Sequence, residues 1–309
     1  MVQKVSIVVP CYNEQESVPL FYAAVTQVFA GIDYELELLY VDDGSRDDTL
    51  TSIKNVQAAD PEHVHYITFS RNFGKEAAMY AGLQHATGDY VGIMDVDLQD
   101  PPELIPEMLR EITAEGYDVV GSRRVTRVGE PKIRSFFARM FYKVINKISD
   151  TEIVDGARDF RIMTKQVVDS ILEVTEYNRF SKGIFSWVGY KTKYLEYENR
   201  DRVAGETSWS FWKLLQYSFD GIISFSEAPL SIAVWVGLTS FVGSLIALII
   251  IVLRTLIYGD PTAGWPSLVS IFLLVGGMIL LSLGIIGKYI GKIFIEVKNR
   301  PIYIVKEKK

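Results

Sequence analysis

The chain has 309 residues, enough for one large or two ordinary domains, and 49% of them are hydrophobic, so a sizeable core is expected. The net charge is −6, and the tail from Lys288 onward holds seven basic and two acidic residues, so residues 1–287 sum to −11; that acidic bulk excludes general nucleic-acid binding. A single cysteine, Cys11, excludes an intramolecular disulfide, and His63, His65 and His85 are too scattered for a metal-ligand spacing.

Val5 to Pro10 reads as a first strand, stopped by Pro10 and followed by the loop Tyr12-Asn13-Glu14 and a helix to about Ala30. Met1 to Pro10 is too short an apolar run for a cleavable signal peptide. Glu35 to Val41 is a second strand, ending in Asp42-Asp43-Gly44-Ser45, and Asp47 opens a helix to about Ala59. Val64 to Phe69 is a third strand, ending at Ser70-Arg71-Asn72-Phe73-Gly74-Lys75, with a helix over roughly Glu76 to Ala86. The fourth strand, from Tyr90 to Met94, is apolar on both faces, as buried parallel strands are. It runs into Asp95-Val96-Asp97, then Asp100, which reads as an N-cap with Pro101 or Pro102 opening the helix to Glu115. Tyr117 to Ser122 is a fifth strand, ending at Arg123-Arg124.

Strands alternating with helices imply a mainly parallel, Rossmann-like α/β sheet with helices on both faces. Each polar cluster falls at the C-terminal end of a strand, where open α/β sheets bind ligands. Alternate residues of an extended segment point the same way, so Asp95 and Asp97 are placed to share one hard cation, Mg²⁺ or Mn²⁺. Simple solvation of two loop aspartates is the competing explanation.

Past residue 125 the pattern changes. Pro131 to Ile148 and Trp209 to Phe225 read as amphipathic, aromatic-rich helices, the first basic, suited either to a membrane interface or to packing against the sheet. Residues 228–253 and 261–287 contain no charged side chain and exceed the ~20 residues that cross a bilayer as helix. Turn residues between them, from Tyr258 to Trp265, predict a two-helix transmembrane hairpin. The positive-inside rule then puts the basic tail and the N-terminal domain in the cytoplasm, at the plasma (inner) membrane. The expected organisation is a catalytic domain over 1–208, a juxtamembrane helix over 209–227, the hairpin over 228–287 and a basic tail over 288–309.

Four rim clusters occur in order: Pro10-x-Tyr12-Asn13-Glu14, Asp42-Asp43-Gly44-Ser45, Asn72-Phe73-Gly74-Lys75 and Asp95-x-Asp97-x-Gln99. With them the chain resembles family 2 glycosyltransferases, whose catalytic domain has the GT-A fold. More narrowly, it is similar over its whole length to the polyprenyl-phosphate glycosyltransferases, which include dolichol-phosphate mannose synthases and bactoprenol glucosyltransferases.

The resemblance implies inverting transfer of a hexose, glucose or N-acetylglucosamine, from a UDP-sugar to undecaprenyl or another polyprenyl phosphate on the cytoplasmic leaflet, by a homo-oligomer, a tetramer. It implies that Pro10, Tyr12, Glu14, Asp42, Asp43, Lys75 and Asp95 bind the donor, with Asp42 at the uracil and Arg202 on a loop closing over it. Asp95 and Asp97, with Gln99, match the metal site. Arg123 and Arg134 are suited to holding phosphate by bidentate contacts, or are merely solvated. Asp159, in Ala157-Arg158-Asp159-Phe160-Arg161, matches an aspartate near the acceptor, as base or sugar-hydroxyl contact; Arg158 replaces the family's usual Gly, and a helix cap is the alternative role.

Three other functions compete. A nucleotidyltransferase making the sugar nucleotide would want a Gly-rich, basic N-terminal loop for a triphosphate, and Pro10 to Glu14 has neither feature. A processive polysaccharide synthase would carry a Gln-x-x-Arg-Trp motif and more membrane helices. A membrane-anchored sugar-nucleotide sensor would have no need of the paired aspartates and phosphate-binding arginines.

Overall fold

The computed structural model describes residues 2–125, 146–147, 154–198, 226, 228–258 and 264–309. Both expected amphipathic helices, save residues 146–147, and both Arg134 and Arg202 lie outside the described residues.

In chain order the described elements are β1 (Lys4–Cys11), α1 (Ser17–Phe29), β2 (Glu35–Asp42), α2 (Thr49–Ala59), β3 (Val64–Phe69), α3 (Lys75–His85) and β4 (Tyr90–Ile93). Then come a 3-10 turn (Pro102–Leu104), α4 (Ile105–Glu115), β5 (Val119–Arg124), β6 (Ala157–Thr164), α5 (Lys165–Glu173), α6 (Ser181–Trp187) and β7 (Thr192–Tyr197). Two long helices, α7 (Ala228–Tyr258) and α8 (Trp265–Val297), precede a last strand, β8 (Val305–Lys308).

The strands form one sheet in the order β7-β5-β6-β4-β1-β2-β3-β8. β4, β1, β2 and β3 run parallel to one another, and these middle strands are buried on both faces. That double burial explains why they read as continuous apolar runs. Helices supply the covering layers: α1 buries Val18, Phe21, Val25 and Phe29, spaced three and four apart. Phe21 is fully buried and meets the ring of Tyr40 edge-on at 6.3 Å, a burial worth roughly 2–3 kcal/mol.

Three expectations are corrected. The sheet is not parallel throughout: β6, not anticipated as a strand, lies between β4 and β5 and is antiparallel to both. Asp100 does not cap the following helix, because its carboxylate is fully buried on other partners. The last residues are not a free tail: α8 continues to Val297, and β8 adds an antiparallel edge strand to β3.

The chain divides into two compact units, residues 1–221 with 300–309, and residues 222–299. In the second, α7 and α8 pair antiparallel, with Ser240 Oγ donating to Met278 Sδ at 3.2 Å and Tyr289 Oη to the Ser226 carbonyl at 2.7 Å. Among the described residues one stretch, Leu274–Val297, is long and apolar enough to cross a membrane by length and composition.

Candidate active site

Register brings the chemistry to one rim. Cys11 pairs with Asp42 and Asp42 with Thr68, so β1, β2 and β3 end level with one another. β4 stops at Ile93 beside Val8, which puts Asp95 just beyond the same edge. β6 runs the opposite way, with Arg161 opposite Ile93, so its N-terminal residues Ala157 to Asp159 reach that rim too.

The pair Asp42-Asp43 is structural in its contacts. Asp42 accepts hydrogen bonds from the Thr68 hydroxyl at 2.6 Å and the Ser45 amide at 3.0 Å, closing the turn at Gly44. Gly44 sits at φ +64°, and a Cβ there would lie 2.5 Å from the Arg71 backbone. Only glycine lets the two rim loops approach so closely. Asp43 accepts from the Phe73 amide at 2.6 Å and the Gly74 amide at 2.8 Å, and so fixes the loop that leads into Lys75.

Burial pushes the Asp43 carboxyl from 3.8 up to about 6, against the pull of those two amides. Between those values the folded chain holds a proton that the unfolded chain has lost. Stability from this group is therefore greatest at low pH and declines as pH rises through about 6. Thermal melts of wild type and Asp43→Asn across pH 4 to 7 should show the wild type losing ground to the variant as pH rises. A difference in melting temperature that stays constant across that range would contradict the assignment.

Lys75 opens α3 and ties the rim together. Its ammonium lies 2.6 Å from Asp95 Oδ1 and 2.5 Å from Asp159 Oδ2. Burial pulls this ammonium towards neutrality, but Asp159 and Asp95 overcome that and hold it charged, above its ordinary range. Burial likewise pushes Asp159 up, and Lys75 and Lys182 overcome it, holding the carboxylate far below its usual range. The Lys75 and Asp95 side chains keep 35% and 23% of their surface exposed, so the cluster remains open to a ligand.

The Asp97 loop is braced from beneath. Leu98 has φ +55°, and the Gln99 amide donates to Asp97 Oδ1 at 3.2 Å. Arg158 donates through Nε to Asp100 at 3.3 Å and through Nη2 to Gln99 Oε1 at 3.3 Å. Tyr197 also donates its hydroxyl to Asp100. Arg158 thus acts on the loop carrying the paired aspartates. Asp159 stands on β6, not at a helix terminus.

The first loop is held from β2's side. The Asn13 amide donates to Ser45 Oγ at 3.0 Å and the Glu14 amide to Thr49 Oγ1 at 2.7 Å. Glu14 itself accepts from Ser17 Oγ at 2.7 Å, while the Tyr12 ring is exposed next to Pro10 and Cys11. Arg123 ends up on β5, donating Nε to the Asp155 carbonyl at 3.0 Å with Nη1 3.4 Å from Glu196.

Asp95 and Asp97 are the rim carboxylates that could hold a divalent cation. Among the described residues no three His, Cys, Asp or Glu side chains converge on a point, and Gln99 Oε1 is engaged by Arg158. The protein therefore offers Asp95 and Asp97, with Asp95 already facing a cationic group in Lys75. One or two carboxylates completed by substrate phosphate oxygens are the usual setting for Mg²⁺.

Three contributors escaped the sequence reading. Arg158 was noted only as a departure from a pattern. Tyr197 carried no signal, and Asp100 looked like a cap.

Comparison with known proteins agrees with this architecture. Residues 6–172 match the family described as Glycosyl transferase family 2. A protein named putative glycosyltransferase CsbB, from Bacillus subtilis, is 43% identical over 98% of this chain and 91% of its own length. The SfII prophage-derived bactoprenol glucosyl transferase of Shigella flexneri is 44% identical over 98% of both chains. Among solved structures, the mannosyltransferase PcManGT from Pyrobaculum calidifontis, in complex with GDP-Man and Mn²⁺, superposes with a TM-score of 0.50 at 17% identity, over 72% of this chain and 64% of that one. That last likeness concerns the fold alone, a GT-A-like α/β domain with a mostly parallel sheet. The chain belongs to glycosyl transferase family 2.

Proposed function

We propose that this chain transfers glucose from UDP-glucose to polyprenyl phosphate at the cytoplasmic face of a membrane. The observation that carries the reading is the end-to-end similarity to a bactoprenol glucosyl transferase, which includes the two long C-terminal helices as well as the catalytic rim.

The chemistry suits the residues. The lipid phosphate is a monoester whose second pKa is about 6, so its oxygen is anionic at neutral pH and needs no general base. That oxygen bonds to the anomeric carbon while the bond from that carbon to the diphosphate breaks, its electron pair leaving with UDP. Asp95 and Asp97 would hold Mg²⁺ or Mn²⁺, which when bound neutralises charge on the diphosphate as a Lewis acid. Asp159, kept ionised by Lys75, is a weak base and serves better to orient Lys75 and a sugar hydroxyl. Arg123 retains guanidinium donors for phosphate oxygens at the end of β5. Donor binding falls to the loops of Tyr12, Glu14 and Asp42-Asp43, and the work of the site is positioning and charge balance. The direct check is UDP release from purified protein: it should depend on added polyprenyl phosphate, and release indifferent to the lipid would argue for hydrolysis.

The helices α7 and α8 form the proposed membrane hairpin. At 31 and 33 residues they are longer than a bilayer's ~30 Å core requires. Phe272 and Leu280 expose 76% and 71% of their surface, as suits a lipid-facing helix. Residues 1–221 and 300–309 form one unit, so the chain leaves and re-enters the same compact body, which supports an even number of crossings. Lys288, Lys292, Lys298 and Arg300 near the end of α8 support, by the positive-inside rule, a cytoplasmic side for both termini. Asp260→Cys, in a Cys11→Ser background, should then react with an impermeant thiol reagent on intact cells. Protection there, with labelling of a cysteine placed in the C-terminal segment, would reverse the orientation.

A further inference from the structure

The C-terminal strand reaches the active-site loop. Along most of its length β8 simply closes the sheet edge: Glu307 accepts from Lys54 Nζ at 2.8 Å and from the Tyr66 hydroxyl at 2.6 Å. Residues 303 and 304 lie further along, where β3 gives way to the Ser70–Lys75 loop. The Ile304 carbonyl accepts from the Ser70 amide at 3.0 Å. The Tyr303 ring stacks on Phe69, centroids 4.9 Å apart at 20°. Phe69 in turn meets Phe73 edge-on at 5.8 Å, and the Arg71 guanidinium covers Phe73 at 3.9 Å. The Tyr303 hydroxyl donates to Gln84 Oε1 at 2.8 Å, on α3, the helix that begins with Lys75. Tyr303 thus touches both the strand that enters the loop and the helix that leaves it.

We propose that Tyr303 is a positioning residue for the Phe73–Lys75 loop. Through Phe69 and Phe73 it holds the loop from the outer side, while Asp43 holds the Phe73 and Gly74 amides from the inner side. Together they set Lys75 against Asp95 and Asp159. Aromatic pairs are directional, so a ring at 303 fixes orientation and not merely volume. Five residues, 298 to 302, link the end of α8 to Tyr303. The competing explanation is that Tyr303 only seals the sheet edge. The proposal rests on Lys75 belonging to the donor site.

Hydrogen exchange and calorimetric UDP binding with Mg²⁺, on the full-length protein in detergent, separate these possibilities. Tyr303→Leu keeps apolar bulk and loses the stacked ring. It should speed exchange of the Phe73 and Gly74 amides and weaken UDP binding by about three- to tenfold. Tyr303→Phe keeps the ring and should restore both to within about twofold. Glu307→Ala should loosen the β3–β8 amides and leave UDP affinity unchanged. Loop exchange and UDP affinity in Tyr303→Leu that match wild type would overturn the proposal, as would equal weakening by Glu307→Ala. A wild type that binds no UDP would overturn the donor-site reading instead, and the exchange of Phe73 and Gly74 would still decide the role of Tyr303.

Discussion

Asp97→Asn should lower turnover by about 10²-fold or more and leave the fold intact. The substitution conserves volume and removes one negative charge from a loop that Arg158, Gln99 and Asp100 brace from below. Asp95 and Asp97 are the two carboxylates proposed for the cation and Gln99 Oε1 is taken by Arg158, so loss of Asp97 removes half of the proposed charged ligands. Raising the Mg²⁺ or Mn²⁺ concentration should recover part of the rate. Full activity of the wild type in EDTA would contradict the metal site outright.

Lys75→Met should have the second-largest effect, and an asymmetric one. The ammonium makes charge-assisted contacts with Asp95 and Asp159, each worth about 1.5–3 kcal/mol, so turnover should fall about ten- to a hundredfold. Without it, Asp95 loses the cation in direct contact with it. The metal concentration for half-maximal rate should therefore fall as turnover falls. Steady-state kinetics over a Mn²⁺ series reads both numbers, and a rise in the metal requirement would show that Lys75 assists the cation instead of competing with it.

The parallel half of the sheet was legible because its strands carry one strong signal. β1 to β4 are largely buried on both faces, each stops at a polar cluster, and α1 carries regular apolar spacing. β6 was not legible. Ala157 to Thr164 carries two arginines and an aspartate, and its residues do not alternate in burial, since Arg161 is buried over the Phe185 ring. β8 was hidden for a different reason: Val-Lys-Glu-Lys is a charged edge strand, and charge is how exposed sheet edges avoid unwanted pairing.

The candidate site divides in the same way. Asp95, Asp159 and Lys75 each stood out singly, yet the Lys75 contacts span 20 and 84 residues of sequence and follow from the insertion of β6 beside β4. Asp100 was misread because an aspartate before proline has the local form of a cap. Its tertiary role, receiving Arg158 and Tyr197, has no local signature.

The most direct test of the central claim is the identity and configuration of the product. Full-length protein, UDP-glucose, Mg²⁺ and polyprenyl phosphate should yield a lipid bearing one phosphate and one glucose. A single displacement by the phosphate oxygen inverts the anomeric centre, so the α-linked donor should give a β-linked phosphoglucose by NMR coupling constants. A product that keeps the α-configuration, or a lipid that carries two phosphates, would contradict it.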